Sequence, residues 1–123
     1  MSDKTPRLYA ARIFVSDYAR ARDFYARTLG LPVAFEMAEA GVLGVDAGGP
    51  LLIVERTDAD GEDGALIGRF CGLSLQVADI HATYRRLLGQ AVAFEGPPTR
   101  QDWGGVLAHF HDPDGNILTL LGE

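Results

Sequence analysis

Apolar residues in this chain recur in two rhythms, and the change of rhythm marks its elements. Over residues 8–15 they follow period two, placing Ile13 and Val15 on one strand face and Arg12 and Phe14 on the other. Ser16 or Asp17 can then cap a helix by accepting orphan amide hydrogens. In that helix Ala21, Phe24, Tyr25 and Leu29 fall on neighbouring turns, Gly30 supplies a left-handed stop, and Pro32 reinforces the break. Strand patterning returns at residues 33–37, 41–46 and 51–55, separated by turns that contain glycine or proline.

The same order recurs in the second half. Residues 73–77 read as a strand, and Asp79 caps a helix with Ile80, Tyr84, Leu87 and Leu88 on one face, stopped at Gly89. Residues 91–95, 106–111 and 116–121 complete the set, the last two joined by Asp112-Pro113-Asp114-Gly115, whose proline and glycine suit a type I turn. The repetition extends to the letters. Val-Ala-Phe-Glu occurs at 33–36 and at 92–95, each preceded by Val-x-Asp (Val15 to Asp17, Val77 to Asp79), a helix, and Leu-Gly (Leu29-Gly30, Leu88-Gly89). The spans from Val15 to Val33 and from Val77 to Val92 differ by three residues, close to one helical turn.

Two βαβββ modules, about residues 8–56 and 70–121 joined by 57–69, therefore make one α+β domain over residues 1–123. With one helix per three-strand run, most strand neighbours should be antiparallel, and the curved sheets should enclose a cavity. The joining stretch holds Asp58, Asp60, Glu62 and Asp63, but its spacing departs from a calcium-binding loop, and a solvated linker is expected.

Composition narrows the function classes. The 123 residues suit a single domain, and 47% hydrophobic with 23% charged residues is ordinary for a globular protein. A net charge of −6 argues against a nucleic-acid surface. Cys71 is the single cysteine, so no intrachain disulfide forms and a reducing, cytoplasmic setting is the simplest expectation. Residues 1–7 lack the apolar core of a signal peptide, and no apolar run is long enough for a membrane span.

The Val-x-Asp, helix, Leu-Gly opening and the ending Asp112-Pro-Asp-Gly-Asn-Ile-Leu-Thr-Leu resemble the vicinal oxygen chelate superfamily from about Leu8 to Leu121. That family includes lactoylglutathione lyase, extradiol dioxygenases, fosfomycin-modifying enzymes and bleomycin-resistance proteins. The resemblance implies a homodimer, and in metal-dependent members four ligand places on the concave sheet face. Counting by the family pattern, those places fall on Ala10, Gly72, Thr119 and Glu55. Zinc- or nickel-type ions need three or four donors from His, Cys or carboxylates, so one carboxylate with Ala, Gly and Thr implies no metal and no cofactor.

The same places, with strand alternation, imply which residues face the cavity: Arg12 and Phe14, Ser74 and Gln76, Glu55, and Thr119, with Ile13, Val15, Leu73, Leu75 and Val77 turned to the helices. Arg12 and Glu55 are read either as a structural ion pair bracing a wet cavity or as contacts to an anionic ligand. His109 and His111 share a strand face. His109 has the cavity parity and suits a ligand contact or general base, whereas His111 and His81 are expected at the surface. Trp103, in a Trp-Gly-Gly segment like those of bleomycin-resistance-type members, is either a packing or dimer anchor or a flat wall for a planar ligand. The leading expectation is a metal-independent protein that binds a small organic molecule and sequesters an antibiotic or similar ligand. The alternatives are a lyase or isomerase using His109 and Arg12, and a metal-dependent lactoylglutathione lyase or dioxygenase, in which the His-x-His pair would join Glu55.

Overall fold

Each half of the chain builds its own sheet, and in each the first strand lies beside the last. The computed structural model describes residues 4–123; residues 1–3, part of the segment read above as lacking a signal core, lie outside the described residues. The first sheet contains β1 (Ala10–Val15), β2 (Val33–Met37), β3 (Val42–Asp46) and β4 (Leu51–Arg56) in the order β1-β4-β3-β2. The second contains β5 (Phe70–Gln76), β6 (Ala93–Phe94), β7 (Thr99–Arg100), β8 (Val106–His111) and β9 (Ile117–Gly122) in the order β5-β9-β8-β6, with β7 also on β8. The β1–β4 and β5–β9 pairs are parallel and the remaining pairs antiparallel. The class is α+β with mixed sheets, as the pattern predicts.

The helix entries follow the sequence closely. Asp17 caps α1 (Tyr18–Arg22) by accepting from Arg20 N at 3.1 Å, and Asp79 caps α2 (Ile80–Gly89) by accepting from Ala82 N at 3.1 Å. The exits differ. After Arg22 the first helix widens into a π-helical segment, Asp23–Thr28, and Leu29 N donates to Phe24 O at 2.8 Å, five residues back. The wider turn lets consecutive Phe24 and Tyr25 both bury, packed edge to face at 5.1 Å. Gly30 stops this helix with φ +75°, as read from sequence.

In the second half, Gly89 is not the stop. The left-handed residue is Ala91 (φ +65°), with Val92 N bonded to Leu87 O and Ala91 N to Leu88 O, both at 3.0 Å. This is a Schellman exit, and it consumes the start of the strand expected over 91–95, leaving only β6. At the other end of this sheet β5 begins at Phe70, three residues before the expected start. Register jumps from Phe70↔Ile117 to Ser74↔Thr119, a bulge in which Gly72 takes φ +69°. Two-residue β7 follows Pro97-Pro98 and carries no periodicity to read. β1 starts at Ala10 rather than residue 8, and the stretch expected as linker holds a short 3-10 turn, Gly64–Leu66.

One face of each sheet packs inward. Ile13, Val15, Leu43, Val45, Leu52 and Val54 are buried on the first sheet, and Ala108, Phe110, Leu118 and Leu120 on the second. Fully burying a side chain of this kind stabilises by about 1.5–3 kcal/mol. Leu73, Leu75 and Val77 turn to the same side as expected but stay only half-buried, packed against the margin of the core. The halves meet through side chains of the Asp112–Asn116 turn. The Tyr25 hydroxyl donates to Asp112 Oδ2 (2.7 Å), and Asn116 Nδ2 donates to Asp112 Oδ2 and to Phe14 O (both 2.9 Å). Asn116 Oδ1 accepts from Gly68 N (2.8 Å), Ser16 Oγ donates to Asp114 Oδ1, and Phe24 packs near Phe110 at 6.3 Å. The Asp-Pro-Asp-Gly-Asn sequence is thus a joint between halves as well as a turn.

Candidate functional site

The open faces of the two sheets carry the residues singled out by parity, and they form three groups. On the first sheet Arg12 pairs across strands with Ile53 and Phe14 with Glu55, so all four point away from the buried side. Arg12 Nε lies 2.5 Å from Glu55 Oε2 and Nη2 3.1 Å from Oε1, a two-pronged ion pair. Its guanidinium carbon sits 5.3 Å from the Phe14 ring centroid. The Glu55 carboxylate raises the Arg12 pKa above its ordinary value, first by hydrogen bonding and then by charge. The Arg12 side chain is 61% exposed and that of Glu55 only 21%, so the pair leaves the guanidinium edge open to solvent. Phe35 and Met37 extend this face: the Phe35 ring lies on Gly44, where a Cβ would come within 2.2 Å of it, and Met37 is exposed.

On the second sheet Ser74, Thr119 and His109 lie in one cross-strand row. His109 Nδ1 is 2.8 Å from the Thr119 hydroxyl, and the Phe70 ring meets the imidazole edge to face at 5.8 Å. Thr119 is only 3% exposed although it belongs to the open face, while Phe70 is 60% exposed. The third group is at the sheet end, where Trp103 and Gln76 share a cleft of about 410 Å³ with Leu121 and Gly122. Trp103 is 67% exposed and its ring covers Gly105, so it is a surface wall and not a core anchor within the chain. Ser74 and Gln76 also line a cleft of about 510 Å³ with Leu29, Leu31 and Arg86.

The described residues give no contact from Arg12 or Glu55 to His109, so the expected cavity residues are divided between two sheets of one chain. His111 turns to Glu95, 3.2 Å away, and His81 is exposed on α2. Sequence reading missed Phe35 and Met37, which strand parity counted from Arg12 would have found. It also missed Phe70, which the bulge at Gly72 conceals.

A parallel first-to-last strand pair repeated in two βαβββ halves is a specific topology, and the comparisons agree with it. Residues 7–120 match the Glyoxalase/Bleomycin resistance protein/Dioxygenase superfamily. The chain belongs to this superfamily. The Bacillus subtilis (strain 168) protein YraH is 31% identical over 93% of this chain and 96% of its own. A superfamily member from Sphaerobacter thermophilus DSM 20745 is 33% identical, with TM-score 0.81 over 97% of this chain and 98% of its own. TnmS3, an antibiotic binding protein from Streptomyces sp. CB03234, is 30% identical, with TM-score 0.76 over 98% of each chain.

The superfamily's metal does not fit the residues present. Ala10 has no donor, and Gly72 has neither donor nor a backbone that a histidine would adopt without strain. The Thr119 hydroxyl is engaged by His109, and Glu55 by Arg12. Among the described residues no three His, Cys, Asp or Glu side chains converge, and the His-x-His pair does not reach Glu55. What the superfamily's ligand places provide here is open floor beside an aromatic, a cation and an imidazole. No helix among the described residues is long and apolar enough to cross a membrane.

Proposed function

We propose that this chain is a metal-independent small-molecule-binding member of the superfamily that sequesters an organic ligand against its open sheet faces, with the antibiotic-binding protein TnmS3 as a functional analogy. The carrying observation is the replacement of ligand places by Ala10, Gly72 and Thr119, while Arg12, Phe14, Phe70, His109 and Trp103 stay displayed around them. Binding needs a shaped surface and a few placed polar groups, and that is what these residues supply. The 30% identity to TnmS3 over nearly the whole chain supports the same reading.

The ligand surface is completed by a second copy of the chain. Its support is the division of Arg12 and Glu55 from His109 within one protomer, together with exposed Met37, Phe70 and Trp103. Such a pair would bring a first-sheet face against a second-sheet face. Sedimentation at micromolar concentration tests this directly: a dimer is expected, and a monomer that binds ligand equally well would refute it.

Thermal denaturation with a panel of aromatic, peptide-antibiotic and thiol-conjugate compounds tests the binding reading. A ligand at a hundred times its dissociation constant adds about 2.7 kcal/mol of stability. A panel that leaves the melting temperature unmoved overturns the proposal. Zinc or nickel is expected to add no comparable stabilisation.

A further inference from the structure

The Thr119 hydroxyl is buried, and among the described residues its one partner is His109 Nδ1 at 2.8 Å. A hydroxyl can donate or accept there. If the imidazole carried its proton on Nδ1, Thr119 would accept, and its own hydrogen would be left without an acceptor in a site closed to water. A buried donor left unpaired forfeits its hydration with no return. If Thr119 donates, every proton is placed: Nδ1 accepts and the imidazole proton sits on Nε2. The ring is then held in one tautomer, with Nε2–H as the free group and no other hydrogen-bond partner among the described residues.

Surrounding groups fit that assignment. Phe70 packs edge to face with the imidazole, which limits ring rotation. On the same edge strand Gly72 carries no side chain, and a Cβ built there would touch only Phe70 at 3.8 Å. The imidazole therefore stands beside an exposed aromatic ring, and that ring in turn borders Gly72, where no side chain projects. A base would need Nε2 unprotonated, the reverse of what the buried hydroxyl favours.

We propose that Thr119 fixes His109 as the Nε2–H tautomer, and that His109 is a hydrogen-bond donor selecting flat ligands with a carbonyl-type acceptor beside an aromatic ring. This rests on the binding reading above, and it assigns the ligand class for that site. Thr119 is a positioning residue: it acts through the imidazole and needs no ligand contact of its own.

Two measurements on the full-length chain test it. The first uses no ligand. Long-range proton–nitrogen NMR of the labelled protein, with His109→Gln identifying the signal among the histidines, is expected to show His109 with hydrogen on Nε2 and bare Nδ1. Thr119→Val should raise the Nδ1–H share, and Thr119→Ser should restore the wild-type pattern. A dominant Nδ1–H form in the wild type, or a tautomer ratio unchanged by Thr119→Val, overturns the arrangement. Should Thr119→Val fail to fold, the wild-type spectrum still decides.

The second compares 9-fluorenone-2-carboxylate with fluorene-2-carboxylate, which differ only at C9, a carbonyl in one and a methylene in the other. The ketone is expected to bind about five- to tenfold more tightly, the usual worth of one neutral hydrogen bond. His109→Ala should abolish that preference, and His109→Gln, which keeps an N–H donor at a similar reach, should retain it. Equal affinities overturn the donor role. If neither compound binds, the ligand class falls, while the NMR result still judges the His109–Thr119 pair and the wider panel still judges the binding reading.

Discussion

The Tyr25 hydroxyl donates a 2.7 Å hydrogen bond to Asp112 Oδ2, joining a π-helical turn to the chain's last tight turn across 87 residues. Both residues are buried, and Asp112 also accepts from the Asp114 and Asn116 amides and from Asn116 Nδ2. The carboxylate is paired on each oxygen without any cationic partner in these bonds. Tyr25→Phe removes one charge-assisted bond and leaves the rest, and is expected to cost about 1.5–3 kcal/mol. Urea unfolding checks it: an unchanged midpoint would contradict a working joint between halves.

Alkaline stability should follow from the same tyrosine. Burial, then the nearby Asp112 charge, raises the Tyr25 pKa well above 10; burial, then the Glu36 hydrogen bond, pushes Tyr18 up to about 12. For both, the folded pKa exceeds the unfolded one. The folded state therefore holds more protons above pH 10, and stability falls as pH rises. The contribution is intact below pH 10 and lost progressively above it. In Tyr25→Phe the decline above pH 10 should be shallower, measured as urea midpoints between pH 8 and 11.5.

Asn116 is fully buried and bonds to Phe14, Gly68 and Asp112 at once. Asn116→Ala strands the Phe14 carbonyl and the Gly68 amide, and is expected to cost about 2–4 kcal/mol. Hydrogen exchange should show the Gly68 amide among the first to lose protection. Retention of its protection would mean that the side chain carries little of the joint.

Ala91→Gly should stabilise the protein. Ala91 holds φ +65° at a helix exit that glycine adopts without a Cβ penalty, and after the extra unfolded-chain entropy of glycine the net gain is about 0.5–1 kcal/mol. The gain would appear as a higher melting temperature with unchanged ligand affinity. A loss of stability would show that the Ala91 methyl is needed for packing.

The Arg12–Glu55 pair is expected to serve ligand binding more than folding. A largely exposed ion pair gives little net stability and is screened by salt. Arg12→Gln should leave the unfolding midpoint nearly unchanged while weakening carboxylate-bearing ligands, and the difference should shrink as salt increases. A large midpoint shift with unchanged binding would make the pair purely structural.

Features set by neighbouring residues were legible in the sequence. Asp17 and Asp79 cap their helices, Gly30 stops the first, and Asp112–Gly115 turns, because each needs only local groups. Features set by competition among hydrogen-bond patterns were not. A π-helical turn at 23–28 has nearly the apolar spacing of an α-helix, and it accompanies the joint burial of Phe24 and Tyr25, which only the folded chain shows. Gly89 has the better residue for a stop, yet Ala91 takes that role because the Schellman bonds close there. At the candidate site, parity read Arg12, Phe14, Glu55, His109 and Thr119 as one cavity lining, and the strand registers place the first three on one sheet and the last two on the other. Period two says nothing about how far apart two sheets lie, so their division between sheets was invisible.

The joint around Asn116 also bears on how the chain tolerates being cut. The stretch between the halves holds exposed Asp60, Gly61 and Glu62, while Tyr25, Phe14 and Ser16 on one side reach Asp112, Asn116 and Asp114 on the other without passing through it. A nick at Gly61 would leave every one of those bonds in place, so two separately expressed fragments should find each other and reconstitute the fold. The two halves would then act as a complementing pair, the second fragment keeping Gly68 and its bond to Asn116 Oδ1.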